Sequence, residues 1–334
     1  MSKVVRVAVT GAAGRVSSSL IVRLASGEVF GPETKVILQL LELPASVAPA
    51  AMKNLEGAMY ELQDCGFSTL KDVIISDDPN VAFKDCNYAL LVGAKPRGKG
   101  EQRSDLIRNN GSIFVGQGKA IAKNAAGDVR ILVVGNPCNT NCLIAYRNGR
   151  EVPADRWHAM TRLDHNRAVS ALAAKAGTTN DQVTCMTIWG NHSNTQFPDF
   201  TNAKVGGKPA TSVVTDRAWL EGTFVPGTQD RGKFIIDTTG VSSSFSAANG
   251  AIDHLKSLVG GTASGDWTSA AIVSKGEYGV PAGLVFGYPC TATGDGNWKV
   301  VEGLQFDAFG QEKFKKTLDE LLQEQDVVKD LLPN

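Results

Sequence analysis

The chain contains four histidines, His158, His165, His192 and His254. His192 lies in TIWGNHSNT, just past an apolar strand-like run and next to Gly190. Loops at strand ends are where catalytic groups concentrate. An imidazole with an unperturbed pKa of roughly 6.5 can take and return a proton near neutral pH. Taken alone, a loop histidine is more often structural. The segment MTRLDHNRA adds Asp164 and Arg167, three apart and therefore on one face of a helical turn. Asp164 could accept a hydrogen bond from the His192 imidazole, fixing its tautomer and favouring the imidazolium. Arg167 could clasp a carboxylate in a two-point fork. Without further context, an i,i+3 surface ion pair is the commoner meaning of that spacing.

Two more arginines, Arg97 and Arg103, stand in LLVGAKPRGKGEQRSDLI with Gly93, Gly98 and Gly100 around them. They follow an apolar run and flank backbone that glycine leaves free. The pattern suggests a loop that moves and carries charge to something.

A third constellation opens the chain. VVRVAVTGAAGRVSSSL reads as a strand, a tight turn on Gly11 and Gly14, and a helix start, with Ser17 in the place of a third glycine. Such a turn lets backbone N–H groups approach a pyrophosphate at a helix N-terminus. On its own it is as readily an ordinary turn. Glu42, which ends the next strand in VILQLLEL, sharpens it. A carboxylate there can accept hydrogen bonds from ribose hydroxyls and would repel a 2′-phosphate, which favours NAD over NADP.

These residues need a scaffold, and the first half of the chain supplies a repeating one. Strands are expected at Val4–Val9, Val36–Leu41, Asp72–Ser76, Tyr88–Val92 and Val129–Val134, with helices at Ser17–Ala25, Leu55–Leu62 and Leu106–Ala125. Gly111, Gly116 and Gly118 weaken the last of these helices. Continuous apolar runs such as YALLV and RILVV suit strands buried on both faces. Alternation of strand and helix implies βαβ units and a doubly wound parallel sheet. In the second half, Leu163–Ala176 reads as a helix and VTCMTIWGN as a strand. A turn-rich, Ser/Thr/Gly-bearing middle follows, and FKKTLDELLQEQDVVKDLL closes the chain as an amphipathic covering helix. The fold class is α/β, an N-terminal Rossmann domain with a C-terminal α+β substrate domain. The boundary falls in GREVPADRW, giving domains 1–154 and 155–334.

Composition limits the function classes. With 334 residues, 43% hydrophobic, the chain can bury a large core. Lysine plus arginine equals aspartate plus glutamate at 34 each, and a balanced chain without a basic block is a poor nucleic-acid binder. No apolar run reaches membrane-spanning length. The start MSKVVRVAVTGAAG has no apolar signal segment, so a cytoplasmic protein is expected. The six cysteines are scattered, as in a reduced intracellular protein, and CNTNC lacks a second Cys/His pair for zinc. No metal site is expected.

Five segments, VTGAAG, GAKPRGKGEQR, VGNPCNTN, LDHNRA and IWGNHS, occur in this order at spacings that resemble the lactate/malate dehydrogenase family. RLASGEVFGP, MTIWGNHSNTQFPDF and SGDW are similar to its cytosolic-type and chloroplast-type malate dehydrogenase branch. The resemblance runs over roughly residues 4 to 330. It implies an NAD-dependent oxidoreductase that interconverts malate and oxaloacetate, a tricarboxylic acid cycle reaction, in a homodimer. His192 would be the acid/base and Asp164 its partner. Arg167 would bind the C1 carboxylate, and Arg103 would polarise the carbonyl. Arg97 would pair with the second carboxylate of a four-carbon diacid; facing pyruvate it would stay unpaired in a closed site. Asn136 would bond the substrate oxygen, with a cis bond to Pro137, and Ser246 would line the pocket near the reacting carbon. Cofactor contacts would come from Gly11, Ala12, Ala13, Gly14, Arg15, Val16, Ser17, Glu42, Asn110, Gln117, Val134, Gly135 and Asn136.

The chain departs from the family at three places. Ser17 and Arg15 replace the usual residues of the turn. LELPASVAPAAMKNLEG is a few residues longer than its counterpart and borders Glu42, so an NADP-preferring enzyme is an alternative, as is a lactate dehydrogenase. Cysteine-bearing terminal extensions, as in the redox-regulated chloroplast enzymes, are missing, so regulation through terminal disulfides is not expected. From another class, a catalytically idle nucleotide-binding protein would bind NADH without turning over a 2-oxoacid.

Overall fold

A computed structural model describes residues 3–95 and 103–333, with the backbone alone for Arg103 and Ser104. The first half alternates as its patterning predicts. It runs β1 (Val4–Thr10), α1 (Arg15–Ala25), β2 (Lys35–Leu41), α2 (Ala51–Asp64), β3 (Leu70–Ser76), α3 (Pro79–Ala82), β4 (Tyr88–Leu91), α4 (Arg103–Asn124), β5 (Arg130–Val133), α5 (Cys138–Asn148) and β6 (Trp157–Ala159). These strands lie in the order β3-β2-β1-β4-β5-β6, each parallel to its neighbour. That is the doubly wound order, with the chain reversing direction across the sheet between β1 and β4.

Both faces of the sheet are covered, which is why its strands are apolar without alternation. One face packs Leu20 and Leu24 of α1 with Leu55 of α2 and, from the second half, Leu163, Ala251 and Leu255. The other packs Phe114 and Ile121 of α4 with Leu143 and Ile144 of α5 and Trp157. Of the glycines that weaken α4 on propensity, Gly118 has a packing reason, whereas a Cβ on Gly116 would meet open space. A Cβ on Gly118 would lie 2.3 Å from the Ala145 carbonyl oxygen, so glycine lets α4 and α5 approach closely.

The second half begins with α6 (Arg162–Ala176). Short strands follow: β7 (Val183–Thr184), β8 (Thr187–Trp189), β9 (Phe197–Asp199), β10 (Lys204–Val205) and β11 (Lys208–Pro209). The expected single strand VTCMTIWGN is therefore two. Cys185 has φ 57, which breaks the extended run. β7 then pairs with β10, and β8 with β9. The expected turn-rich middle is largely helical: α7 (Ala210–Val213), α8 (Arg217–Trp219), a π-turn at Leu220–Phe224, α9 (Val225–Gln229) and α10 (Arg231–Thr239). Leu220, Phe224 and Val225 are buried against Phe200, and this packing overrides the weak helix propensity of the Gly, Thr and Pro residues there.

Next come α11 (Phe245–Gly260), β12 (Thr268–Val273), β13 (Val285–Ala292), β14 (Trp298–Val300) and α12 (Ala308–Val327). β12 pairs antiparallel with β6, so the large sheet continues through β6 into β12-β13-β14. Its second-half core holds Trp189, Phe197, Phe200, Phe286 and Tyr288. The closing helix is amphipathic as expected. Its N-cap Asp307 accepts from Gly310 N–H, and Leu321, with Val328 just past its end, anchors it to separate cores. Among the described residues no helix is long and apolar enough to cross a membrane.

Candidate active site

The glycine turn is built where two strand ends meet. Gly11 has φ +60, and a Cβ there would sit 2.6 Å from Gly93 Cα just past β4. Gly93 N–H donates to Thr10 O at 3.1 Å, holding the two strand ends together. Both the positive φ and the close approach require glycine at position 11. Gly14 then caps α1 in an extended conformation with no side-chain cap bond, and the first turn of α1 carries no acid. The helix N-terminus is thus left to an anion.

Glu42 follows β2 and turns toward that helix start. Its Oε1 accepts from Ala13 N–H at 3.1 Å and its Oε2 from Leu43 N–H at 3.0 Å. The segment after it leaves the carboxylate beside the turn. Ala12 and Ser17 are buried, and among the described residues the Ser17 hydroxyl has no hydrogen-bond partner. Val16 packs against the core, and exposed Arg15 offers its carbonyl to the Ser244 hydroxyl at 2.8 Å. A Gly cradle, an uncapped helix start and an acid at the next strand end together fit a dinucleotide.

At the neighbouring strand end, Val134 and Gly135 N–H groups both donate to Leu91 O at 2.9 Å. The Asn136–Pro137 bond is cis and Asn136 is exposed. Asn110 and Gln117 lie on α4. The Asn110 amide is engaged by Lys95: Oδ1 accepts from Lys95 N–H at 2.7 Å, and Nδ2 donates to Lys95 O at 3.2 Å. Gln117 is buried, with no partner for its Oε1 among the described residues.

The histidine–carboxylate pair is brought together from two parts of the second half. Asp164, on the first turn of α6, is completely buried. One oxygen bonds His192 Nδ1 and the other accepts from Arg167 Nη1 at 2.9 Å. Burial pushes the Asp164 carboxyl up, but His192, Arg167 and a bond to the Gln196 side chain outweigh it and hold the group below its ordinary range. The carboxylate is therefore ionised at neutral pH. With Nδ1 held, Nε2 of His192 is the nitrogen left for proton exchange. Arg167 also donates from Nη2 to the Ser243 hydroxyl at 3.0 Å.

The structure thus joins His192, Asp164 and Arg167, and separately joins the glycine turn with Glu42. Ser246 is exposed on the first turn of α11, whereas Ser243 is the serine that meets Arg167. Arg97 lies outside the described residues. Arg103 begins α4, and its side chain lies outside them too. Sequence reasoning missed Gln196, Ser243 and Asn139. Asn139 sits inside the quoted VGNPCNTN segment, so a signal was present, but nothing in the sequence tied it to His192. The CNTNC thiols are buried in α5, and burial raises Cys138 to about 12 and Cys142 well above its ordinary value. Neither is a ready nucleophile. Among the described residues no cluster of His, Cys, Asp or Glu has metal-holding geometry.

Comparison with known proteins covers the whole chain. The lactate/malate dehydrogenase NAD-binding domain matches residues 5–156, and the alpha/beta C-terminal domain of the same enzymes matches residues 161–331. A malate dehydrogenase from Magnetococcus marinus is 54% identical over 333 residues, 100% of both chains. The crystal structure of malate dehydrogenase from Naegleria fowleri superimposes with a TM-score of 0.94 at 40% identity, covering 99% of this chain and 100% of that one. Trichomonas vaginalis lactate dehydrogenase in complex with NADH and oxamate gives a TM-score of 0.92 at 34% identity, covering 98% and 99%.

Proposed function

This chain belongs to the lactate/malate dehydrogenase family, and we propose that within it the protein is an NAD-dependent malate dehydrogenase, converting malate and NAD reversibly to oxaloacetate and NADH. The observation that carries the reading is the buried Asp164 carboxylate joining His192 to Arg167. The identity to a malate dehydrogenase over the full chain sets the substrate class.

When bound, NAD supplies the acceptor for the C2 hydride. The chain would hold it at the Gly11–Gly14 turn and at Glu42, with Val134, Gly135, Asn136, Asn110 and Gln117 around it. In malate oxidation neutral His192 takes the hydroxyl proton at Nε2. Asp164 keeps the ring oriented and stabilises the imidazolium that forms. Arg167 receives the C1 carboxylate as a fork, while Arg97 holds the second carboxylate and Arg103 the developing oxygen charge. Asn136 bonds the same oxygen, and Ser246 borders the pocket. Residues 1–154 serve the cofactor and 155–334 the substrate. The motif MTIWGNHSNTQFPDF supports the cytosolic-type and chloroplast-type branch, and with it a cytoplasmic homodimer.

Initial rates of purified protein test the reading. Oxaloacetate with NADH should turn over fast, with little activity when NADPH replaces NADH or pyruvate replaces oxaloacetate. A preference for NADPH would overturn the role of Glu42, and a preference for pyruvate that of Arg97.

A further inference from the structure

His192 sits in a loop, and catalysis needs that loop held to a fraction of an ångström. Its backbone is tied to other elements at Gly190, Asn191 and His192, while Ser193 N–H and Thr195 N–H bond within the loop, to Asn191 O at 2.9 Å and Ser193 Oγ at 3.0 Å. Gly190 and Gly287 exchange N–H···O bonds of 3.0 and 2.9 Å, fixing the loop start to β13. The His192 N–H donates to Asn139 Oδ1 at 3.0 Å, while Asn139 Nδ2 donates to Gly190 O and Val285 O, both at 3.2 Å. One buried amide from α5 thus splices the histidine's own peptide to the sheet.

The remaining anchors come from the closing helix. Thr317, Glu320 and Glu324 lie at i, i+3 and i+7 on one stripe of α12. Thr317 Oγ1 accepts from Asn191 N–H at 2.9 Å. The fully buried Asn191 amide donates to Glu320 Oε2 at 2.8 Å and to Glu324 Oε1 at 3.0 Å. Glu320 Oε2 also accepts from the Thr195 hydroxyl at 2.6 Å and from the Ser193 hydroxyl. Glu324 in turn accepts from Thr140, next to Asn139. Glu320 therefore grips the residues immediately before and after His192 without touching the imidazole, through charge-assisted bonds that are stronger than neutral ones.

We propose that Glu320 of α12, acting with Asn139, is a positioning residue for the catalytic step: its carboxylate fixes Asn191, Ser193 and Thr195 and thereby the approach of His192 to the substrate oxygen. The inference rests on the assignment of His192 as the acid/base. It gives the C-terminal helix a catalytic duty beyond covering the core.

The test compares wild type, Glu320→Ala and Glu320→Gln in oxaloacetate reduction, with NADH and with NADH deuterated at the transferred position. Glu320→Ala should lower kcat about 10-fold, leave the KM for NADH unchanged, and raise the isotope effect on kcat as the chemical step becomes slower than product release. Glu320→Gln, whose amide oxygen still accepts from the three donors, should recover most of the loss. An unchanged kcat and isotope effect in Glu320→Ala, or a loss that Glu320→Gln does not recover, overturns the assignment. Should Glu320→Ala not fold, Ser193→Ala and Thr195→Val together remove the same anchor from the loop side and are read by the same criteria. A wild type that reduces neither oxaloacetate nor pyruvate would instead overturn the proposed function, a separate outcome.

Discussion

At the scale of single residues, Asp164 has the most demanding environment. It is fully buried yet ionised, and it serves an imidazole and a guanidinium at once. A lone buried carboxylate would take up a proton; the hydrogen bond from the imidazole and the charge of the Arg167 guanidinium reverse that preference. Asp164→Asn keeps the shape and removes the charge. Its amide can donate to Nδ1, which places the imidazole proton on Nε2 and leaves the ring unable to act as a base. The expected result is a kcat for malate oxidation lower by about 100-fold or more, with NADH affinity, measured by fluorescence titration, little changed. A variant retaining more than about half of wild-type kcat would remove Asp164 from the mechanism.

Elements meet most tightly around Gly190. It follows β8 with φ +88, and a Cβ there would fall 2.2 Å from Thr317 on α12. Two independent obstacles therefore stand against any side chain, the left-handed backbone and the approach of the helix. Gly190→Ala should cost about 2–4 kcal/mol in urea unfolding, the sum of strain and overpacking. It should also lower kcat, because His192 follows two residues later. Wild-type unfolding and turnover in Gly190→Ala would show that the helix yields freely at this contact. The same contact explains why the loop is legible only in part. The Ser, Asn and Thr residues of NHSNT advertise a turn, but their partners lie more than 120 residues away in the closing helix, beyond any local pattern.

The whole molecule sorts its four histidines into two kinds. Burial pushes His158 down to about 4 and His165 and His254 well below their ordinary value, so the folded state holds all three neutral. His158 and His254 sit with their rings 5.5 Å apart beside Trp298, and His165 bonds Ser269. Because the unfolded chain binds protons at these sites more readily, stability must fall as pH drops from roughly 6.5 toward 4, by up to about 1.4 kcal/mol per pH unit for each histidine. The urea midpoint should therefore be lower at about pH 5 than at about pH 7.5. An equal midpoint at both would mean that these rings titrate normally in the folded state. His192 is the histidine set at a loop, with its side chain 14% accessible.

Local chemistry alone determined much of this protein. The period and apolar continuity of the first-half segments specify a doubly wound parallel sheet, because both faces must be buried. The residue types at Gly11, Gly14 and Glu42 point to a dinucleotide cradle with a ribose acceptor, and those at Asp164, Arg167 and His192 allow a paired imidazole beside a carboxylate fork; only the resemblance of five ordered segments to a dehydrogenase family joined the two into hydride-transfer chemistry. Tertiary structure decided the rest. It broke VTCMTIWGN at Cys185 and wound the Gly- and Thr-bearing middle into helix, since packing against Phe200 and its neighbours outweighs propensity. It chose Ser243 to meet Arg167 and brought Asn139 and Glu320 to the His192 loop. Those pairings depend on where chain segments far apart in sequence come to rest, and only the folded core sets that.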